Sequence, residues 1–182
     1  DSFPGKRIVV TFMRTLMGLP PVVVGIIVYV LFSGTGPFGN LGLIYSVKLM
    51  IIAQVVLITP IVAGMTETAI SPIVKNALPS LKGMGANPFK KVFLIIGESK
   101  YQLIAVYLFA FARAISEVGA VQIVGGNILY KTRVMTTAIA LNYNTGDFSM
   151  AIALGFILLM ISLCVNCVAA LLQFGLKRRK HA

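Results

Sequence analysis

The chain is poor in the residues that do chemistry. Of its 182 residues five are acidic, one is histidine and two are cysteine. The histidine, His181, is next to last, and the acids are scattered. No HExxH, GxSxG or carboxylate pair occurs, so the zinc ligands of a metalloprotease, a nucleophile elbow and a paired acid and base are all missing. GxxxxGK[ST] is missing too. GESK (residues 97–100) lacks the loop glycines that bring backbone N–H groups to a phosphate. No catalytic or metal-binding set is expected, and this chain is expected to bind no cofactor. If ATP drives it, another chain holds the nucleotide and its magnesium.

Charge is also scarce. Charged residues make up 12% of the chain and apolar ones 58%, against about 25% and about 45–50% in ordinary soluble domains. That balance excludes disorder, collagen, a disulfide scaffold and most soluble enzymes. A bilayer-spanning helix needs roughly 20 apolar residues, so the apolar content fills about five spans at most. The chain reads as an all-α integral membrane protein. Cys164 and Cys167 both fall in an apolar run and read as buried thiols on one helical face. Neighbours three apart on a helix do not easily reach a strain-free disulfide.

What is present is a series of long apolar runs, which predict one transmembrane domain over residues 1–182 with four spans. The first covers about 8–32, kinked at Pro20 and Pro21 and ended by the turn cluster GTGPFGN (residues 34–40). The second covers about 44–65, with Lys48 near its outer end and Gln54 and Pro60 inside. Residues 66–100 hold five lysines, two glutamates and Pro72, Pro79 and Pro88, and read as a water-exposed helical loop. Within it a short helix is expected over about 80–86, with Pro79 suited to its start. The third span covers about 101–124 and carries Arg113 and Glu117. The fourth covers about 149–173, is uncharged and runs into KRRK (residues 177–180). A segment beginning at Thr136 and Thr137 is too short to span and is expected as an outer or re-entrant helix.

The net charge of +11 would suggest nucleic acid in a soluble chain. Position gives it another meaning. The N-terminal segment, the 66–100 loop and the C-terminal tail hold 3, 5 and 4 of the 16 Lys and Arg, and the opposite side holds only Lys48, Lys131 and Arg133. By the positive-inside rule both termini and the long loop are cytoplasmic. The KRRK tail is then a topology anchor beside anionic headgroups, and no nucleic-acid partner is expected.

The polar residues inside the runs are few. Arg113, Ser116, Glu117 and Ala120 share one helical face at i, i+3, i+4 and i+7. An ion there is costly unless it faces a polar interior, so this stripe reads either as an ion pair locking the bundle or as an anion contact along a pathway. Arg before Glu is the less favourable order for an i,i+4 pair, which points to partners on other helices. Gly125, Gly126 and Asn127 break the helix near the outer face. Asn127, Thr136 and Thr137 offer amide and hydroxyl donors that could pass a tetrahedral dianion without holding it tightly; the plain alternative is a surface helix.

The loop NALPSLKGMGANPFKKVFLIIGES (residues 76–99) resembles the EAA loop of binding-protein-dependent ABC importer permeases. With the family glycine at Gly85, the family isoleucine falls on Ile95 with the required nine residues between. The EAA positions fall on Pro79, Ser80 and Leu81, and the closing Leu-Pro on Gly97 and Glu98. Downstream, FARAISEVGAVQIVGGNI (residues 111–128) and TRVMTTAIAL (residues 132–141) are similar to permeases of molybdate, tungstate and sulfate importers, most of all the tungstate type. TLMGLPPVVVG (residues 15–25) and GTGPFG (residues 34–39) are similar to the same group.

The resemblance implies a helical bundle of the type I importer kind in the cell membrane, with at least one further span upstream. It also implies a second permease copy, an ATP-binding subunit, and an extracytoplasmic binding protein that delivers an oxyanion. Leu81, Lys82, Gly83, Met84, Gly85, Ala86, Asn87 and Pro88 would form the coupling segment that sits in the ATP-binding subunit. Arg113, Ser116, Glu117, Asn127, Thr136 and Thr137 would line the pathway or lock the bundle. The expected function is import of tungstate by alternating access. Molybdate, sulfate and phosphate are alternative cargoes, and a channel-like or structural subunit without an ATPase is the alternative class.

Overall fold

Two consecutive prolines decide the first element of the bundle. The residue before a proline is pushed out of the α region, so Leu19 and Pro20 end one helix, and Pro21 starts the next at a first-turn position where its missing N–H is no loss. The computed structural model, which describes residues 5–178, accordingly shows α1 (Lys6–Met17) and α2 (Pro21–Phe32) meeting at a bend of 102°. The single kinked span expected over 8–32 is thus two helices. Each has 12 residues, about 18 Å of helix, and neither crosses a hydrocarbon core of about 30 Å alone.

After α2 the glycine-rich segment folds back on itself. The Phe38 amide donates to the Leu31 carbonyl at 3.0 Å, and a Cβ on Gly36 would collide with the Val30 carbonyl oxygen. A single tight turn (Gly39–Leu41) follows. Ser46 then caps α3 (Val47–Gly83), its hydroxyl accepting from the Leu49 amide at 3.3 Å.

This helix corrects the expectation for the cytoplasmic side. Residues 66–83 are helical, but as the continuation of α3, and no separate helix occupies 80–86. The second span instead continues unbroken for 37 residues through Pro60, Pro72 and Pro79, about 55 Å. A proline removes one helical hydrogen bond and crowds one turn; the remaining turns carry the helix on until glycines arrive at 83 and 85. Past the membrane, α4 (Pro88–Ile115) starts 13 residues before the expected onset at 101.

The third span differs as well. Expected as one helix over 101–124, it stops at Ile115 and resumes as α5 (Gly119–Gly125). Beyond lie α6 (Met135–Asn144), short as expected, and α7 (Phe148–Arg178), which starts where Asp147 accepts from the Met150 amide at 3.1 Å. Among the described residues there is no strand. Among those residues three helices, α3, α4 and α7, are long and apolar enough to cross a membrane, and four spans result if the bent α1–α2 pair counts as one.

The core sits where α2, α3 and α5 meet, around Val24, Val28, Leu49, Ala53, Leu57, Ala120 and Val124. Its closest approach is Gly25, where an added Cβ would lie 2.8 Å from the Ala120 Cα. Elsewhere α1 crosses α3 with Met17 over Gly64, α4 packs on α3 and α7, and α6 packs on α7. The outer faces of the long helices remain apolar and uncovered, as lipid-facing helices are. Gly25→Leu should separate α2 from α5 and destabilise the bundle by about 1–3 kcal/mol, read as earlier thermal unfolding in detergent; an unchanged midpoint would refute the packing.

Candidate functional site

The break between α4 and α5 gathers Gln54, Arg113, Ser116, Glu117 and Thr136. With α4 ended at Ile115, Glu117 is freed from helical geometry and turns its carboxylate inward, where it is 3% exposed. Arg113 Nη1 donates to Glu117 Oε2 at 2.9 Å, so the two pair with each other and not with separate helices as their order suggested. The other carboxylate oxygen accepts from the Ala120 amide at 3.4 Å, which is one of the orphan donors at the start of α5. The Ser116 hydroxyl donates to the Arg113 carbonyl at 3.1 Å. From α3, Gln54 Nε2 donates to the Ala114 carbonyl at 3.2 Å.

A second group of bonds ties α6 to this break. Thr136 is buried, and its hydroxyl donates to the Glu117 carbonyl at 3.2 Å. Thr137, also buried, accepts from the Val134 amide at 3.1 Å and donates to the Val134 carbonyl at 3.0 Å. Asn127 Nδ2 donates to the Thr137 carbonyl at 3.4 Å. The six residues singled out for a pathway or polar stripe therefore do come together. In this conformation they hold helix ends, and each makes a hydrogen bond within the protein.

The sequence reading assigned no role to Gln54, which ties α3 to the end of α4. It also passed over Thr132, whose hydroxyl donates to the Gly125 carbonyl at 2.6 Å and accepts from the Ile128 amide at 2.9 Å. A lone amide inside an apolar run was the available signal for Gln54; Thr132 lay in a loop with none. Near the same outer end the Tyr45 amide donates to the Val124 carbonyl at 3.1 Å, and its ring lies where a Cβ on Gly126 would be. A hydrogen bond with the neighbouring Tyr29 side chain holds the Tyr45 phenol above its ordinary pKa.

The cytoplasmic turn has its own construction. The Ala86 amide donates to the Leu81 carbonyl at 3.2 Å and the Gly85 amide to the Lys82 carbonyl at 3.1 Å, with Gly85 at φ +62°. This is the Schellman arrangement, in which glycine takes the left-handed position that closes a helix. Asn87 is extended, and Pro88 opens α4. Leu81 packs inward, whereas Met84 (71% exposed) and Phe89 (87%) project from the turn.

No three His, Cys, Asp or Glu side chains converge on a metal-sized site among the described residues. Cys164 and Cys167 are unpaired and exposed on α7, not buried as expected. They stand on a helix at the edge of the bundle, where apolar side chains face lipid. His181 and the end of the KRRK tail lie outside the described residues.

The chain is thus a helical bundle with spanning helices, a break closed by the Arg113–Glu117 pair, and a helix–turn–helix between α3 and α4. Residues 2–178 match the binding-protein-dependent transport system inner membrane component family, and the chain belongs to it. It is a multi-pass membrane permease subunit. The tungstate uptake system permease protein TupB of Peptoclostridium acidaminophilum is 43% identical over 177 residues, covering 95% of this chain and 76% of the relative. TupB of Campylobacter jejuni is 38% identical over 167 residues, covering 92% and 70%. A probable anion ABC transporter permease protein of Haloferax volcanii is 36% identical over 174 residues, covering 93% and 75%.

The pairing at the break makes a specific expectation. Arg113→Ala should leave the Glu117 carboxylate buried without its cation and destabilise the bundle by about 3 kcal/mol. Arg113→Met combined with Glu117→Gln should cost clearly less. Detergent unfolding of the two variants decides it, and equal losses would argue against the pair.

Proposed function

We propose that this chain is the permease subunit of an ATP-driven importer that carries a tetrahedral oxyanion, tungstate foremost, into the cytoplasm. The observation that carries the reading is the 81–88 turn. It is stiffened by its own backbone bonds, presents Met84 and Phe89 to water, and joins two long helices, α3 and α4, on the cytoplasmic side. Exposed apolar side chains on a rigid turn suit a cleft in a partner protein. Under this reading the partner is an ATP-binding subunit that holds ATP and magnesium, and this chain supplies no catalytic group.

Force applied at the turn would pass along α3 and α4 as rods. The Gln54–Ala114 bond and the Arg113–Glu117 pair lie at the far end of that lever, where α4 gives way to α5. Rocking of two permease copies about such joints is alternating access. An oxyanion moving past the break would meet the Arg113 guanidinium, about a third exposed, together with the Ser116 hydroxyl. The tungstate and anion names of the relatives support the cargo class. An extracytoplasmic binding protein would deliver it, in keeping with the family description.

Gly85→Leu tests the docking role. No atom lies within 4 Å of an added Cβ, so the penalty is the left-handed backbone alone, about 1–2 kcal/mol. The variant should insert and fold, yet retain less of the ATP-binding subunit in a detergent pull-down and lose oxyanion-stimulated ATPase activity. Uptake at the normal rate would sink the assignment. In vesicles holding the whole complex, excess unlabelled tungstate should abolish ATP-dependent uptake of labelled tungstate, and uptake without ATP would favour a channel.

A further inference from the structure

The outer side of the bundle carries one segment that the transport reading does not use, the 126–134 loop. Its backbone passes through three left-handed residues, Gly126 at φ +68°, Asn127 at +50° and Tyr130 at +60°. Glycine adopts that region freely, but a tyrosine there is strained and persists only where its surroundings hold it. They do so here. The amides of Lys131, Thr132 and Arg133 all donate to the Ile128 carbonyl, at 3.1, 2.9 and 3.0 Å. The buried Thr132 hydroxyl ties the loop to Gly125 and Ile128, and Arg133 Nε donates to Asn127 Oδ1 at 3.3 Å.

What this stiff loop holds up is Tyr130, 98% exposed, with Leu129 half exposed beside it and Lys131 and Arg133 exposed around it. Outer segments of membrane proteins are depleted in Lys and Arg, yet two of the three outer cations of this chain, Lys131 and Arg133, flank this ring. The loop rises from α5, whose Ala120, Val121, Val124 and Gly125 are buried. A rigid aromatic tip ringed by cations is the composition of a binding hot spot.

We propose that the 126–134 loop is a preformed docking knob for the extracytoplasmic binding protein, with Tyr130 as its anchor and Lys131 and Arg133 meeting an acidic rim on that partner. The proposal rests on the importer reading and names the surface by which delivery would occur. Charge complementarity around the ring would steer the encounter, and the ring would set residence time.

The test uses the full chain with its ATP-binding subunit in nanodiscs and a fluorescent, tungstate-loaded binding protein. Tyr130→Gly relieves the left-handed strain while removing the ring, so it should weaken capture about tenfold or more with thermal stability equal to or above that of the parent. Lys131→Glu should weaken capture most at low salt. Capture by Tyr130→Gly at parental affinity would overturn the knob. An environment-sensitive dye on Tyr130→Cys should be shielded when the binding protein is added; shielding by lipid alone, or by a second copy of this chain, would overturn it as well. Loss of the ATP-binding subunit from the unmodified complex would instead bring down the importer reading itself, and the knob with it.

Discussion

Lipid offers no hydrogen bonds, so every place where a helix stops inside the bundle must be satisfied by the protein itself. Residues 116–118 are such a place, and the Glu117 carboxylate answers it. One oxygen balances Arg113 and the other takes an orphan amide of α5, while the Glu117 carbonyl accepts from Thr136. Those bonds fix the direction in which α5 leaves. That direction brings Ala120 against Gly25 and so seats α2. Thr136 carries the same constraint to α6, against which α7 packs.

Breaks and continuity are unevenly distributed. α3 and α4 run unbroken from the cytoplasmic turn into the bundle, whereas the chain bends between α1 and α2 and again between α4 and α5. Arg14 of α1 donates to Glu67 of α3 at 2.8 Å, so even the bent N-terminal helix is tied to the longer rod. Stiff elements thus meet at the turn, and jointed ones meet at the ion pair. A permease that converts a push on its cytoplasmic side into movement around a solute would need such a division.

Much of this was readable residue by residue. The apolar runs announced α3 and α7, the glycine cluster at 34–40 announced the return after α2, and the distribution of Lys and Arg oriented the chain. Gly85 was singled out as the family glycine of the loop, and the structure puts it in the left-handed backbone that closes α3. The residues around the break were picked from cost alone, since ions in an apolar run must be accommodated. Their partners were not readable, because the order of Arg113 and Glu117 disfavours a helical pair and nothing local says that the helix stops between them.

Composition and periodicity settle what lipid demands of a chain: how many apolar stretches it has, which side they face and where glycine and proline interrupt them. They therefore determined an all-α membrane bundle and a built turn near Gly85. Whether a proline bends a helix or is absorbed by it depends on the packing on either side. Pro20 and Pro21 split the first span, while Pro60, Pro72 and Pro79 leave α3 continuous. The burial of Glu117, the commitment of Thr136 and Thr137 to helix ends and the projection of Tyr130 depend on contacts between residues distant in the chain. Only the tertiary structure decided those, since hydrogen-bond partners inside a bilayer are chosen by proximity in space.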